Sequence, residues 1–166
     1  MTRTHVKNQR NNGVSMMHGR IERITSITTS SGLYPMPVDS TITSYTQSLA
    51  AVHRFYRFTR MRVILLPNNY AANVYVQYVP GGGSSTAGAS DDNIEAEFCA
   101  YINAYTSVPQ GIDVPRRALV TSQPWFATNG DASDIYLDTM GQVNFESTGA
   151  IQIFFKLVIE YEYKDP

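Results

Sequence analysis

Nine of the thirteen lysines and arginines fall in the first 62 residues, and several stand beside aromatic rings. Arg54, Arg57, Arg60 and Arg62 lie in RFYRFTRMR, while Arg3, Lys7, Arg10, Arg20 and Arg23 are spread through a polar N-terminal stretch. Cationic side chains neutralise phosphates and release condensed counterions, and neighbouring rings offer surfaces on which unpaired bases stack. Residues 1–62 hold nine basic against two acidic groups, a balance of +7, and residues 63–166 hold four against twelve, a balance of −8, although the whole chain is only −1. A polyanion at one face suits that asymmetry. The candidate nucleic-acid contacts are Arg3, Lys7, Arg10, Arg20, Arg23, Arg54 and Arg57. Their loose spacing in the N-terminal stretch suits recognition of backbone charge and not of base sequence. A second reading of residues 54–62 makes these arginines ion-pair partners for Asp and Glu of a neighbouring subunit.

Two groups of carboxylates could hold calcium. Asp91 and Asp92, with Glu95, follow the loop sequence PGGGSSTAGAS, and Asp131 and Asp134 share a polar loop with Asn129. Hard oxygen ligands on loops bind calcium, particularly when two chains each supply part of the shell, and solvated loop acids are the plainer alternative. No other cofactor is expected. Catalysis finds little support. His5, His18 and His53 show no paired ligand spacing, and the glycines at 81–83 lack the Lys and Ser or Thr of a phosphate-binding loop. Cys99 lies among Phe98, Ala100 and Ile102, the setting of a buried, inert thiol. We therefore expect a protein that is not an enzyme.

Charged residues make up 16% and aromatic residues 11% of 166 residues, which argues for a folded core and against a disordered chain. The longest apolar stretch, residues 151–163, contains Lys156, Glu160 and Glu162, so no membrane span of about 20 apolar residues is expected. No apolar run follows the N-terminal basic residues, and a single cysteine rules out an internal disulfide, so a secretory signal is not expected and a reducing compartment is.

The elements that must carry these residues read mainly as strands. Residues 1–23 are polar, without a sustained apolar period, and read as a basic arm outside the core. A first strand is expected near Ile21, broken by Gly32, Pro35 and Pro37. Ser and Thr residues that can cap a helix precede Leu49 and Val52, which predicts one short helix within residues 41–52. Residues 56–66 alternate, with Phe58, Arg60, Arg62 and Ile64 expected on one face and Met61, Val63 and Leu65 on the other. NVYVQYV at 73–79 is a further strand. Residues 93–105 fit either period, and a helix is the favoured reading. Residues 141–147 and 151–163 close the chain as separate strands, the latter with the clearest alternation present. Seven or eight strands with long connections and one or two short helices give an all-β antiparallel sandwich.

In this order, the arm, the short helix, FYRFTRMRVILLP, VYVQYVP, a helix-like acidic segment, PW, GQVNF and IFFKLVIEYEYKDP resemble the shell domain of coat proteins from small icosahedral positive-strand RNA viruses. Tombusvirus-like, sobemovirus-like and satellite-virus coats are similar in pattern. Phe55 to Pro67 matches a strand of aromatic, basic and aliphatic residues before a proline, and Ile159, Tyr161 and Pro166 match the end of the last strand. The resemblance covers residues 40–166. It implies an eight-stranded jelly roll (24–166) that assembles with itself into an icosahedral shell around single-stranded RNA, with the arm (1–23) inside. It further implies a place in the virion after assembly in the host-cell cytoplasm, and no projecting domain after the final strand. Two departures stand out. The arm is less densely basic than family arms, and Pro80 with the Gly-rich loop separates residues 73–79 from Asp91 and Asp92, where family members often carry Asp-x-x-Asp at once. The alternative is a carbohydrate-binding, lectin-like sandwich using Trp125, Tyr101 or Tyr105, and calcium on Asp131 and Asp134.

Overall fold

The computed structural model describes residues 3–11, 14–67, 72–81, 97–120, 124–128 and 139–165. The chain order is β1 (Arg3–Asn11), β2 (Val14–Pro37), α1 (Ser44–Ala50), β3 (Phe55–Leu65), β4 (Val74–Pro80), β5 (Cys99–Ile102), β6 (Gln110–Pro115), α2 (Arg116–Leu119), β7 (Phe126–Ala127) and β8 (Gly141–Lys164). All pairings are antiparallel. The fold is an all-β jelly roll with two short helices, as the sequence predicts.

Two 24-residue strands organise it. β2 and β8 run side by side from Met16 opposite Lys164 to Pro37 opposite Gln142, with a shift in register between Ser30 and Gly32. Gly32 sits at φ +92°, a backbone region that side chains with a Cβ rarely adopt, which is what a bulge of this kind needs. On one side of that bend β8 also pairs with β3, and on the other with β4. The first layer is therefore β1, the N-terminal part of β2, the C-terminal part of β8, β3 and β6. The second is the rest of β2 and β8 with β4 and β5. A pair of long strands that bends at a bulge and serves both layers is the usual way to turn a sandwich corner.

One apolar core lies between the layers. From the first it takes Ile153, Phe155, Leu157, Ile159, Tyr161 and Tyr163 of β8 with Met61, Val63 and Leu65 of β3; from the second, Val74, Val76, Tyr78, Val143 and Phe145. Phe145 and Phe155, on opposite sides of the bend, stack with ring centroids 4.7 Å apart. Burying each such ring contributes about 2–3 kcal/mol relative to exposure. Gly19 makes room for the Tyr161 ring, because a Cβ at that position would overlap it. Helix α1 begins with a capping box in which Thr43 and Thr46 exchange side-chain to backbone bonds of 3.1 Å. Tyr163 ties it down by donating its hydroxyl to the Thr46 carbonyl at 3.0 Å.

Five expectations require correction. The backbone of residues 3–11, expected without strand structure, forms β1 and pairs with β2 from Arg3 opposite Glu22 to Asn11 opposite Val14. Within residues 93–105, Cys99–Ile102 is a strand and not a helix, since pairing with β4 favours the period-2 reading of an ambiguous pattern. Residues 141–147 and 151–163 belong to one strand. In β3 a shift in register at Thr59 separates Phe58 from Arg60, so Phe58 is buried with Tyr56 while Arg60 lies on the outer face. Val52, expected on the helix, lies beyond it and is 70% exposed.

Candidate nucleic-acid interface

The outer face of the first layer gathers most of the predicted arginines, and the alternation of β2, β3 and β8 places them there. Cross-strand register sets His18, Glu162 and Arg57 in one row, Arg20, Glu160 and Arg60 in the next, and Glu22, Val158 and Arg62 in a third. Strand β6 adds Asp113 directly opposite Arg62. Side chains opposite one another on adjacent strands stand close enough to pair, so the two oppositely charged parts of the sequence meet here.

Each arginine of β3 has an acidic partner. Arg57 donates from Nε to Glu162, and both side chains are largely buried, 13% and 16% exposed. His18 Nδ1 reaches the other oxygen of the same carboxylate at 3.2 Å. Arg60 holds Asp113 through two bonds, Nε to Oδ1 at 2.9 Å and a second from its terminal nitrogen, and Arg62 Nε lies 3.6 Å from Asp113. Arg20 pairs with Glu22 and stands 3.9 Å from Glu160, while Lys156 Nζ reaches Glu22 at 2.9 Å. Lys156 and Arg20 hold the Glu22 carboxyl below its ordinary value, and Arg60 does the same to Asp113. Arg60 is in turn held further protonated by Asp113.

The seven predicted contacts thus divide. Arg20 and Arg57 are engaged within the subunit. Arg23 and Arg54 are exposed and have no ion-pair partner among the described residues; Arg54 contributes only its carbonyl, which accepts from the Thr128 N–H at 3.0 Å. Arg3, Lys7 and Arg10 take backbone register positions opposite Glu22, His18 and Ser15. Asp91, Asp92, Glu95, Asn129, Asp131 and Asp134 lie outside the described residues, and among those described no group of three or more His, Cys, Asp or Glu could hold a metal. Cys99 is half-buried, and that burial pushes its thiol above the ordinary value, the direction of an unreactive sulfur. His53 is spoken for by Asp165 at 3.2 Å. No helix among the described residues is long and apolar enough to cross a membrane.

The aromatics named for sugar stacking do not form a platform. Arg57 and Lys164 lie 4.2 and 4.5 Å from the centre of the Trp125 ring. Tyr101 stacks on Tyr75 at 5.1 Å and accepts a bond from Asn103 at 2.6 Å. Only Tyr105 of the three stands free, at 94% exposure.

Sequence reasoning passed over Asp113, whose strand was hidden by Gly111 and Pro115. The usable signal was the alternation of Ile112 and Val114 around it, both of which are buried. Gly111 is needed because a Cβ there would collide with the β3 backbone at Val63 and Ile64.

No protein-family model matches the sequence, and no curated protein is similar to it in sequence. Solved structures are similar in fold. The chain superposes on Melon necrotic spot virus with a TM-score of 0.70 at 20% identity, covering 98% of this chain and 53% of that one. It superposes on tobacco necrosis virus with a TM-score of 0.68 at 11% identity, covering 97% and 86%. A virus-like particle of the nodavirus of the giant freshwater prawn Macrobrachium rosenbergii gives 0.67 at 10%, covering 100% and 85%. The chain spans about half the length of the Melon necrotic spot virus chain it matches. Its fold is that of the jelly-roll capsids of icosahedral positive-strand RNA viruses.

Proposed function

We propose that this chain is a shell subunit of an icosahedral virus capsid, which associates with further copies of itself and encloses single-stranded RNA, in a virion assembled in the host cytoplasm. The observation that carries the proposal is the near-complete superposition of the chain on virus capsids, with TM-scores of 0.67 to 0.70 over 97–100% of its length.

The ion pairs narrow the RNA contacts. A phosphate approaching Arg57 or Arg60 has to displace a carboxylate that already holds two or more bonds in place. Arg23 and Arg54 carry no such competitor among the described residues. They, with Arg3, Lys7 and Arg10 of the basic N-terminal segment, are the groups we assign to the RNA backbone, with Arg20 at the margin. Such contacts make packaging sensitive to salt and indifferent to sequence.

The test is purification of the full chain from an expressing cell without nuclease. Particles should carry nuclease-sensitive RNA, and an Arg23→Ser, Arg54→Ser variant should package less of it than an Arg57→Lys variant. Particles free of RNA, or equal packaging in both variants, would contradict the assignment.

A further inference from the structure

Strand β2 has one edge on β8 and one edge outward, and the outward edge changes character along its length. From Val14 to Glu22 it is covered by β1. At the far end Pro35 and Pro37 have no N–H to offer, a common guard on an exposed edge. Between them, residues 23–34 pair with β8 alone among the described residues. No charged side chain and no proline occurs from Ile24 to Tyr34. The stretch is open to solvent: Ile24 is 63%, Leu33 38% and Tyr34 41% exposed, and Thr28 and Ser30 are exposed as well. Space is also free around Gly32, where an added Cβ would meet nothing within 4 Å. The other outward edges differ. β5 has four residues, β6 has six and carries Asp113, and β1 has Arg3, Lys7 and Arg10 in its sequence.

We propose that residues 23–34 pair edge to edge with the same residues of a second copy, antiparallel about a two-fold axis, so that two first layers become one continuous sheet. The inference rests on the self-association proposed above and names a surface for it. An isologous contact sets a segment against itself, so any charge in it meets a like charge. A neutral run of Ile, Thr and Ser meets no such penalty, and its β-branched residues favour extended cross-strand pairing. The basic edge of β1 would oppose itself, and β6 is half as long. An unguarded edge of this length would be an aggregation hazard in a lone subunit, and a dyad pairing removes it.

Hydrogen exchange read by mass spectrometry on the full chain, assembled at low and dissociated at high ionic strength, tests this. Amides of residues 23–34 should exchange at least about tenfold more slowly after assembly, while those of β4 change little. A Thr28→Lys variant should keep the native circular dichroism and fail to assemble, whereas Val52→Lys should assemble normally. Particles whose residues 23–34 exchange as fast as in free subunits, or assembly by Thr28→Lys, would overturn the edge pairing and leave the shell reading standing. Protection of the edge only after another protein is added would overturn it equally. A chain that never associates at all would remove both.

Discussion

On the outer face of the first layer, every arginine of β3 meets a carboxylate from far along the chain, whereas the edge of β2 from Ile24 to Tyr34 bears no charge and pairs on one side only among the described residues. The two regions share a sheet and differ in what they leave unanswered. On the face, the charge asymmetry of the sequence is answered internally: Arg57 by Glu162, Arg60 and Arg62 by Asp113. At the edge, backbone donors and acceptors remain for another chain. A linear count of charges therefore overstates how much of this molecule faces a polyanion, and a count of paired strands shows better where copies could meet.

Breaking the face should have the larger effects on stability. Gly111→Ala drives a Cβ into the β3 backbone and displaces the strand that carries Asp113. We expect a loss of about 3 kcal/mol, seen as a lower midpoint in urea unfolding, because backbone atoms cannot move aside as a side-chain tip can. Arg57→Ala strands the largely buried Glu162 carboxylate with only His18 as a charged neighbour and removes a cation from over Trp125. It should cost about 2 kcal/mol in the same assay.

Acid should sharpen the contrast more gently. Glu22 and Asp113 have depressed folded-state values, so their contribution is present above the ordinary carboxylate range, near the reference values of 4.5 and 3.8, and is lost as pH falls through the depressed values. Native protein should lose melting temperature below about pH 4 more steeply than a Glu22→Gln, Asp113→Asn variant, and the two curves should converge in strong acid. Exposure of both pairs keeps the difference small. The smallest change in stability is expected for Arg54→Ala, within about 0.5 kcal/mol of native. Its effect should appear instead in RNA binding, where the dependence of affinity on salt should weaken by about one charge.

Where a strand buries one face and shows the other, the sequence was legible: residues 151–163 alternate as written, and every second side chain from Ile153 to Tyr163 is in the core. The helix at 44–50 was marked by the Thr residues that cap it. Features set by long-range pairing were not. Nothing local distinguishes Cys99–Ile102 as a strand until β4 lies beside it, and the register shift at Thr59 that turns Phe58 inward depends on its match to β8. The candidate site was half legible for the same reason. Arginine positions could be read directly, but their carboxylate partners lie 53 and 105 residues away and become neighbours only through sheet register.

The most direct measurement is sedimentation velocity with electron microscopy on the full chain purified without nuclease, across a range of ionic strength. A closed, megadalton-scale shell that forms at low salt and carries RNA is the predicted result. A monomer or dimer free of nucleic acid under every condition would contradict the assignment of this chain as a capsid subunit.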